Sequence, residues 1–333
     1  ELIAWIIGWA LILEYAIGNI VVAISWSGYF VNLLEGFHIH LPGWLTTNHE
    51  QALQGYTEAM NHLKAGGTKE TFSKLARVGY DAITNAPVIG SWKVILNIPA
   101  AIIVFLITAL VYRGIKESKK STNAMVIFKI VIIVGVIILG FFYVDTANWT
   151  PFMPNGFKGV LAGVSAVFFA FIGFDAVSTT AQEAKNPKRD MPIGILGSLA
   201  ICTVLYILFG HVLTGVAHWS EFATAGKEAS VSYVIKTYMS GYEWLGTSVT
   251  LAILAGFSSV ILVMLMGQSR VFYSMSQDGL IPKAFGELHP KYKTPFKANW
   301  ILFIFVGAFA AFVPGSIAGD LTSFGTLFAF VLV

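Results

Sequence analysis

Four ionisable side chains stand inside long apolar runs of this sequence: Glu14, Lys129, Asp175 and His211. A charge surrounded by hydrocarbon is costly, so each is a functional hypothesis by default, suited to carrying a proton or meeting a charged solute. Glu14 shares a helical face with Ala10, Gly18 and Ser25, a stripe of small residues that lets another helix or a solute come close. Its carboxyl either stays protonated and bonds a neighbouring helix or faces the solute, and the sequence leaves both readings open. Lys129, in MVIFKIVIIVG, is the only charge of its run. It either snorkels to the headgroups or sits among helices as an ammonium that can carry a proton. His211 lies close to the end of its run, where water reaches it.

Asp175 belongs to FFAFIGFDAV, residues 168–177, where a glycine and a carboxylate interrupt a run greasy enough to cross a bilayer. An unwound turn around Ile172 and Gly173 would free backbone carbonyls in mid-membrane, which is tolerated only where they line a cavity or are buried in protein. Such carbonyls suit a cation, and broken helices of this kind can hold the ammonium of an amino acid. The plainer alternative is that Gly173 permits close packing and Asp175 caps a second half-helix. Gly256, Ser258 and Ser259 interrupt another run, either for packing or to place hydroxyls beside a solute.

The elements that must position these residues are membrane helices. Apolar residues make up 56% of the chain and charged ones 12%, against roughly 45–50% and 25% in soluble domains. Mean hydropathy is +0.72. A net charge of +3, scattered along the chain, gives no nucleic-acid surface. No histidine spacing suggests a metal site, so no cofactor is expected, and the single Cys202 permits no intrachain disulfide. Spans of about 20 apolar residues fall at 2–34, 96–112, 122–144, 159–181, 191–217, 244–268 and 298–314, with another beginning near 322. The absence of an initiating methionine and the apolar residues at both ends lead us to expect that further helices precede the first.

Connections 113–121, 182–190 and 269–297 carry twelve basic residues, while the longer 35–95, 145–158 and 218–243 carry eight. The first set is therefore expected in the cytoplasm and the first helix is expected to end outside. The 35–95 segment is long for a connection and is expected to be an extracellular insertion. Within it TKETFSKLARVGYDAI reads as an amphipathic helix, with Thr68 as cap and Phe72, Leu75, Ala76 and Ile83 on one face.

Three motifs, FFAFIGFDAVSTTAQEAKNPKRDMPIGI (168–195), GQSRVFYSMSQDGLIPKAFGELHPKYKTP (267–295) and GWALILEYAIG (8–18), resemble the cationic amino acid transporter branch of the amino acid, polyamine and organocation superfamily. The resemblance covers essentially the whole chain apart from 35–95, which is longer than expected of that family. It implies an all-α membrane protein with an inverted-repeat transporter fold, present here from the third helix to the start of the tenth, with a broken sixth helix. The repeat itself is not visible in the sequence. The resemblance further implies that carbonyls around Phe169, Ala170 and Ile172, beside Gly173, take the substrate ammonium, with Phe169 as a gate. It places Lys129 near the sodium position of sodium-coupled relatives, which favours proton coupling, with Asp175 the other candidate. Ser259 would line the side-chain pocket and Glu14 would face a cationic side chain.

On this reading residues 1–333 form one transmembrane domain with an insertion. The chain is expected in the cell membrane as a multi-pass protein that takes up cationic or small neutral amino acids with protons by alternating access. The expected partners are the amino acid, protons, membrane lipids and a small membrane protein. The rival is a non-transporting receptor or scaffold of the same fold. An enzyme is not expected, because the buried charges fall on separate helices with no set of nucleophile, base and orienting group.

Overall fold

A computed structural model describes residues 2–90, 92–113, 115–171, 173, 176–177, 184–224 and 230–314. Its helices are α1 (Leu2–Gly36), α2 (His49–Lys64), α3 (Lys74–Asn85), α4 (Ile98–Arg113), α5 (Ile115–Gly140), α6 (Gly156–Phe171), α7 (Pro187–Val216), α8 (Trp219–Thr224), α9 (Ser230–Tyr238), α10 (Glu243–Gln277) and α11 (Phe296–Phe312). Two short strands, β1 (Val88–Ile89) and β2 (Trp92–Lys93), pair antiparallel between α3 and α4. Among the described residues four helical stretches are long and apolar enough to cross a bilayer: Leu2–Gly36, Lys120–Tyr143, Pro187–Val216 and Trp244–Gln277. α4 and α11 are shorter apolar helices. These fall on the spans read from the sequence. The run expected near 322 lies outside the described residues.

The chain divides into two compact units, residues 1–120 with 257–333, and residues 121–256. In the first, α4 packs against α11 and α1 packs against both. Thr294 Oγ1 donates to the Tyr112 carbonyl at 3.0 Å and the Phe105 and Phe303 rings meet edge to face at 5.4 Å. The second half of α10 runs antiparallel to α1 along a seam of small residues. A Cβ on Gly8 would fall 2.5 Å from Met275 Sδ, and one on Gly18 would fall 3.0 Å from Met264 Sδ. A side chain at either position would have to displace a methionine thioether from the seam. Between those glycines Gln268 Nε2 donates to the Ile12 carbonyl at 3.0 Å, and further along Trp26 Nε1 donates to Ser258 Oγ at 3.1 Å.

The 35–95 segment belongs to this unit and holds two helices where the sequence indicated one. Asn48 caps α2 by accepting from the Gln51 N–H at 2.9 Å, and Ser73 caps α3 by accepting from Ala76 N at 3.1 Å. Thr68, expected as the cap, instead opens a separate turn at Lys69–Thr71. The two helices cross at Gly55 and Gly79: a Cβ on Gly79 would sit 2.6 Å from the Gly55 Cα. Phe72 and Ala76 are buried as expected, but Leu75 is exposed, because its backbone rather than its side chain lies at that crossing.

In the second unit Val136, Val212, Leu213, Val216, Ile235, Met239, Leu245 and Val249 form the core. The loop after α5 clamps the end of α7: Asp145 N and Asn148 Nδ2 both donate to the Gly215 carbonyl, at 2.9 and 2.8 Å. His211 is exposed and stacks on Trp149 at 4.2 Å.

Candidate functional site

The expected site residues divide between the two units. Glu14 and Ser259 lie in the first, on α1 and α10, and both are buried, Glu14 completely. Ser258, rather than its neighbour, is the hydroxyl that accepts from Trp26. Gly18 fulfils the close approach expected of the small-residue stripe, and Ala10 is buried with it.

The second unit holds Phe169, Ala170, Gly173 and Lys129. The helical run of α6 ends at Phe171, and Gly173 follows with φ +99°, a backbone region that L side chains adopt only under strain. The Ala176 N–H donates to the Gly173 carbonyl at 3.1 Å. The last four carbonyls of a helix have no partner within it and must find one elsewhere. One of them, the carbonyl of Ala170, accepts from Tyr206 Oη of α7 at 2.9 Å, while the Tyr206 ring meets Phe171 edge to face at 5.1 Å. Ile172 and Asp175 lie outside the described residues, as does the side chain of Phe169.

Lys129 is half-buried on α5, and its stem runs past α10 where Gly256 leaves room: a Cβ there would lie 3.6 Å from Lys129 Cδ. A serine or alanine at 256 would therefore meet the lysine stem directly. Gly256, which the sequence left open between packing and a solute-lining role, thus lies beside the stem of the one cation of α5's apolar run.

Two buried amides, Asn19 and Gln268, and one exposed tyrosine, Tyr206, escaped a sequence search aimed at charges. Asn19 is completely buried, and neither its Nδ2 nor its Oδ1 has a hydrogen-bond partner among the described residues. Gln268 is equally buried and donates across the seam. Tyr206 ties the end of α6 to α7. Neutral amides within apolar runs were the signal for the first two, since such groups cost free energy unless bonded. Tyr206 gave no sequence signal, because its partner is a backbone atom 36 residues away. Among the described residues no group of three His, Cys, Asp or Glu is placed to hold a metal ion.

Comparison with known proteins returns one family. The family model described as "amino acid permease" matches residues 1–333. The chain is 41% identical over 333 residues to the branched-chain amino acid permease BcaP of Bacillus subtilis, covering 100% of this chain and 63% of that protein. It is 38% identical over 334 residues to the methylthioribose transporter of the same organism, with the same coverage. It is 35% identical over 290 residues to the chloroplastic cationic amino acid transporter 9 of Arabidopsis thaliana, covering 87% of this chain and 44% of that protein. The chain spans 63% of the length of the first two relatives.

Proposed function

The chain belongs to the amino acid permease family, whose members are multi-pass membrane transporters and not enzymes, and on that footing we propose that it serves proton-coupled amino acid uptake across the cell membrane by alternating access. The observation that carries the reading is the end of α6. α6 runs to Phe171, Gly173 takes a φ of +99°, and the Ala170 carbonyl accepts from Tyr206 Oη. A carbonyl has two lone pairs, so the tyrosine leaves one for a solute ammonium. Carbonyls from Phe169 to Ile172 form the ammonium subsite, Gly173 supplies the turn, and the sixth helix is broken there. Ser259 lines the side-chain pocket. Lys129, and with it Asp175, carries the coupled proton.

Between cationic and neutral substrates, Glu14 favours the neutral. It is completely buried, and a carboxylate that selects a guanidinium or ammonium has to open onto the solute. The 41% identity to a branched-chain amino acid permease points the same way. A second reading, uptake of a thiosugar, is favoured by the 38% identity to a methylthioribose transporter. That solute has no ammonium, so the two readings part at the α6 carbonyls.

The test is uptake by the full-length protein in proteoliposomes with an imposed inward proton gradient, using labelled leucine, arginine and methylthioribose. Leucine should accumulate and the accumulation should collapse with a protonophore. Accumulation of methylthioribose alone would establish the second reading, and no accumulation of any solute would leave a scaffold.

A further inference from the structure

The 35–95 segment carries an apolar tip that the transport reading does not use. Between α3 and α4, β1 and β2 pair Val88 with Lys93 and Ile89 with Trp92, around a turn in which Gly90 has φ +65°. The base of this hairpin is closed by the Val94 N–H donating to the Pro87 carbonyl at 2.9 Å. Its side chains do not join the core of the segment: Val88 is 61% exposed, Ile89 71% and Trp92 80%. An isolated two-stranded hairpin is marginal in water, and one that shows an isoleucine and a tryptophan side by side is a contact surface rather than a solvated loop.

Its height along the helices is fixed by hydrogen bonds. Asn97, just before α4, accepts from Ser27 Oγ of α1 at 2.6 Å, and its N–H donates to the Ala311 carbonyl near the end of α11 at 2.9 Å. From Ser27 the first helix continues nine residues to Gly36, about 13 Å further. Lys74 of α3 bonds Asn32 Oδ1 and pairs with Glu35 on those last turns. Lys93 in turn donates to the Ile83 carbonyl of α3. The segments flanking the hairpin are thus tied to the last part of α1, from Ser27 to Glu35. That helix has 35 residues and is about 52 Å long, whereas the hydrocarbon core is about 30 Å thick. The excess, with the polar Asn32 and Glu35 in the last turns, suits a final stretch at headgroup level. Phe37 and Ile39, which follow α1 directly, are exposed there as well.

We propose that the hairpin Val88–Lys93 is a membrane-interface anchor, with Ile89 and Trp92 seated at the boundary between headgroups and acyl chains. Tryptophan is enriched at that boundary because its ring is apolar and its N–H is wet. The neighbouring Lys93 keeps its ammonium on the polar side, where its Ile83 bond already holds it. Anchored at the hairpin and at the end of α1, the α2–α3 pair is held beside the membrane at both of its ends.

The test uses nitroxide labels on the full-length protein in nanodiscs of phosphatidylcholine and phosphatidylglycerol. Trp92→Cys and Ile89→Cys are labelled separately in a cysteine-free background, with Glu70→Cys, exposed on the same segment, as the aqueous reference. Collisions with oxygen report lipid, and collisions with a water-soluble nickel chelate report solvent. A ratio of oxygen to nickel accessibility several-fold higher at 89 and 92 than at 70 is the expected result. Ratios equal to that of position 70 would mean the hairpin stands in water. Low accessibility to both reagents would mean that protein, either a second copy or another polypeptide, covers it. Either of these overturns the proposal. The two label sites are independent, so failure of one variant to fold leaves the other to decide.

Discussion

The seam between α1 and α10 and the end of α6 solve opposite problems with the same residue type. Along the seam, Gly8 and Gly18 remove side chains so that helices can close up, and the gaps are filled by Met275 and Met264. Cross-helix bonds from Gln268 and Trp26 then fix the register. At the end of α6, Gly173 takes a φ of +99°, a conformation that other residues resist, two residues after the last helical residue, Phe171. There Tyr206 Oη of α7 donates to the carbonyl of Ala170. The lesson is that a glycine in a membrane run is ambiguous until its neighbours are known. Close approach makes a rigid seam, whereas a positive φ makes a helix end whose polar atoms remain available. Changes at the seam should therefore cost stability, and changes near the α6 end should cost transport while the fold survives.

The sharpest break between the two regions should come from Lys129, in the same unit as the α6 end. Lys129→Ala should abolish proton-driven accumulation in proteoliposomes while some substrate binding and the melting temperature are retained. Unchanged accumulation would remove its coupling role. Gly173→Ala should come next. Placing a Cβ in left-handed backbone costs about 1–2 kcal/mol, which corresponds to roughly tenfold at 1.4 kcal/mol per decade. That loss should appear in uptake, with a smaller shift in melting.

At the seam, Gln268→Leu should do the reverse. Loss of one neutral hydrogen bond is worth about 1 kcal/mol, to be read as a lower melting temperature with substrate affinity little changed. Tyr206→Phe removes a bond of the same kind at the other region, so an affinity loss of several-fold, about 1 kcal/mol, is expected without a comparable stability loss. The smallest selective effect is expected at Glu14. If the substrate is neutral, Glu14→Gln should change leucine and arginine binding equally, and a larger loss for arginine would restore a cation-selecting role.

Much of the fold was legible because a bilayer enforces a simple rule: an apolar run of sufficient length must be a helix. The spans 2–34, 96–112, 122–144, 191–217, 244–268 and 298–314 fall on α1, α4, α5, α7, α10 and α11 for that reason. The 35–95 segment obeys no such rule. The α2 stretch HEQALQGYTEAMNHLK is polar overall and buries only Ala52, Gly55 and Ala59, so its helix is set by the crossing with Gly79 and by the Asn48 cap. The cap of α3 moved from Thr68 to Ser73 because Lys69–Thr71 forms a turn of its own. At the candidate site, Gly173 was legible as an interruption, since glycine and aspartate are conspicuous among phenylalanines. Tyr206 was not, because a tyrosine in an apolar helix is ordinary and its role depends on a carbonyl of another helix. Asn19 was legible in principle and was passed over in favour of full charges.

The central claim is that main-chain oxygens at the end of α6 receive the ammonium of the substrate. A structure of the full-length protein with leucine bound tests it most directly. The account predicts the leucine nitrogen within hydrogen-bonding distance, about 2.7–3.2 Å, of a carbonyl between Phe169 and Ile172, with Gly173 still at positive φ. A continuous helix through Gly173, or a leucine whose nitrogen is held by side chains elsewhere, would contradict it.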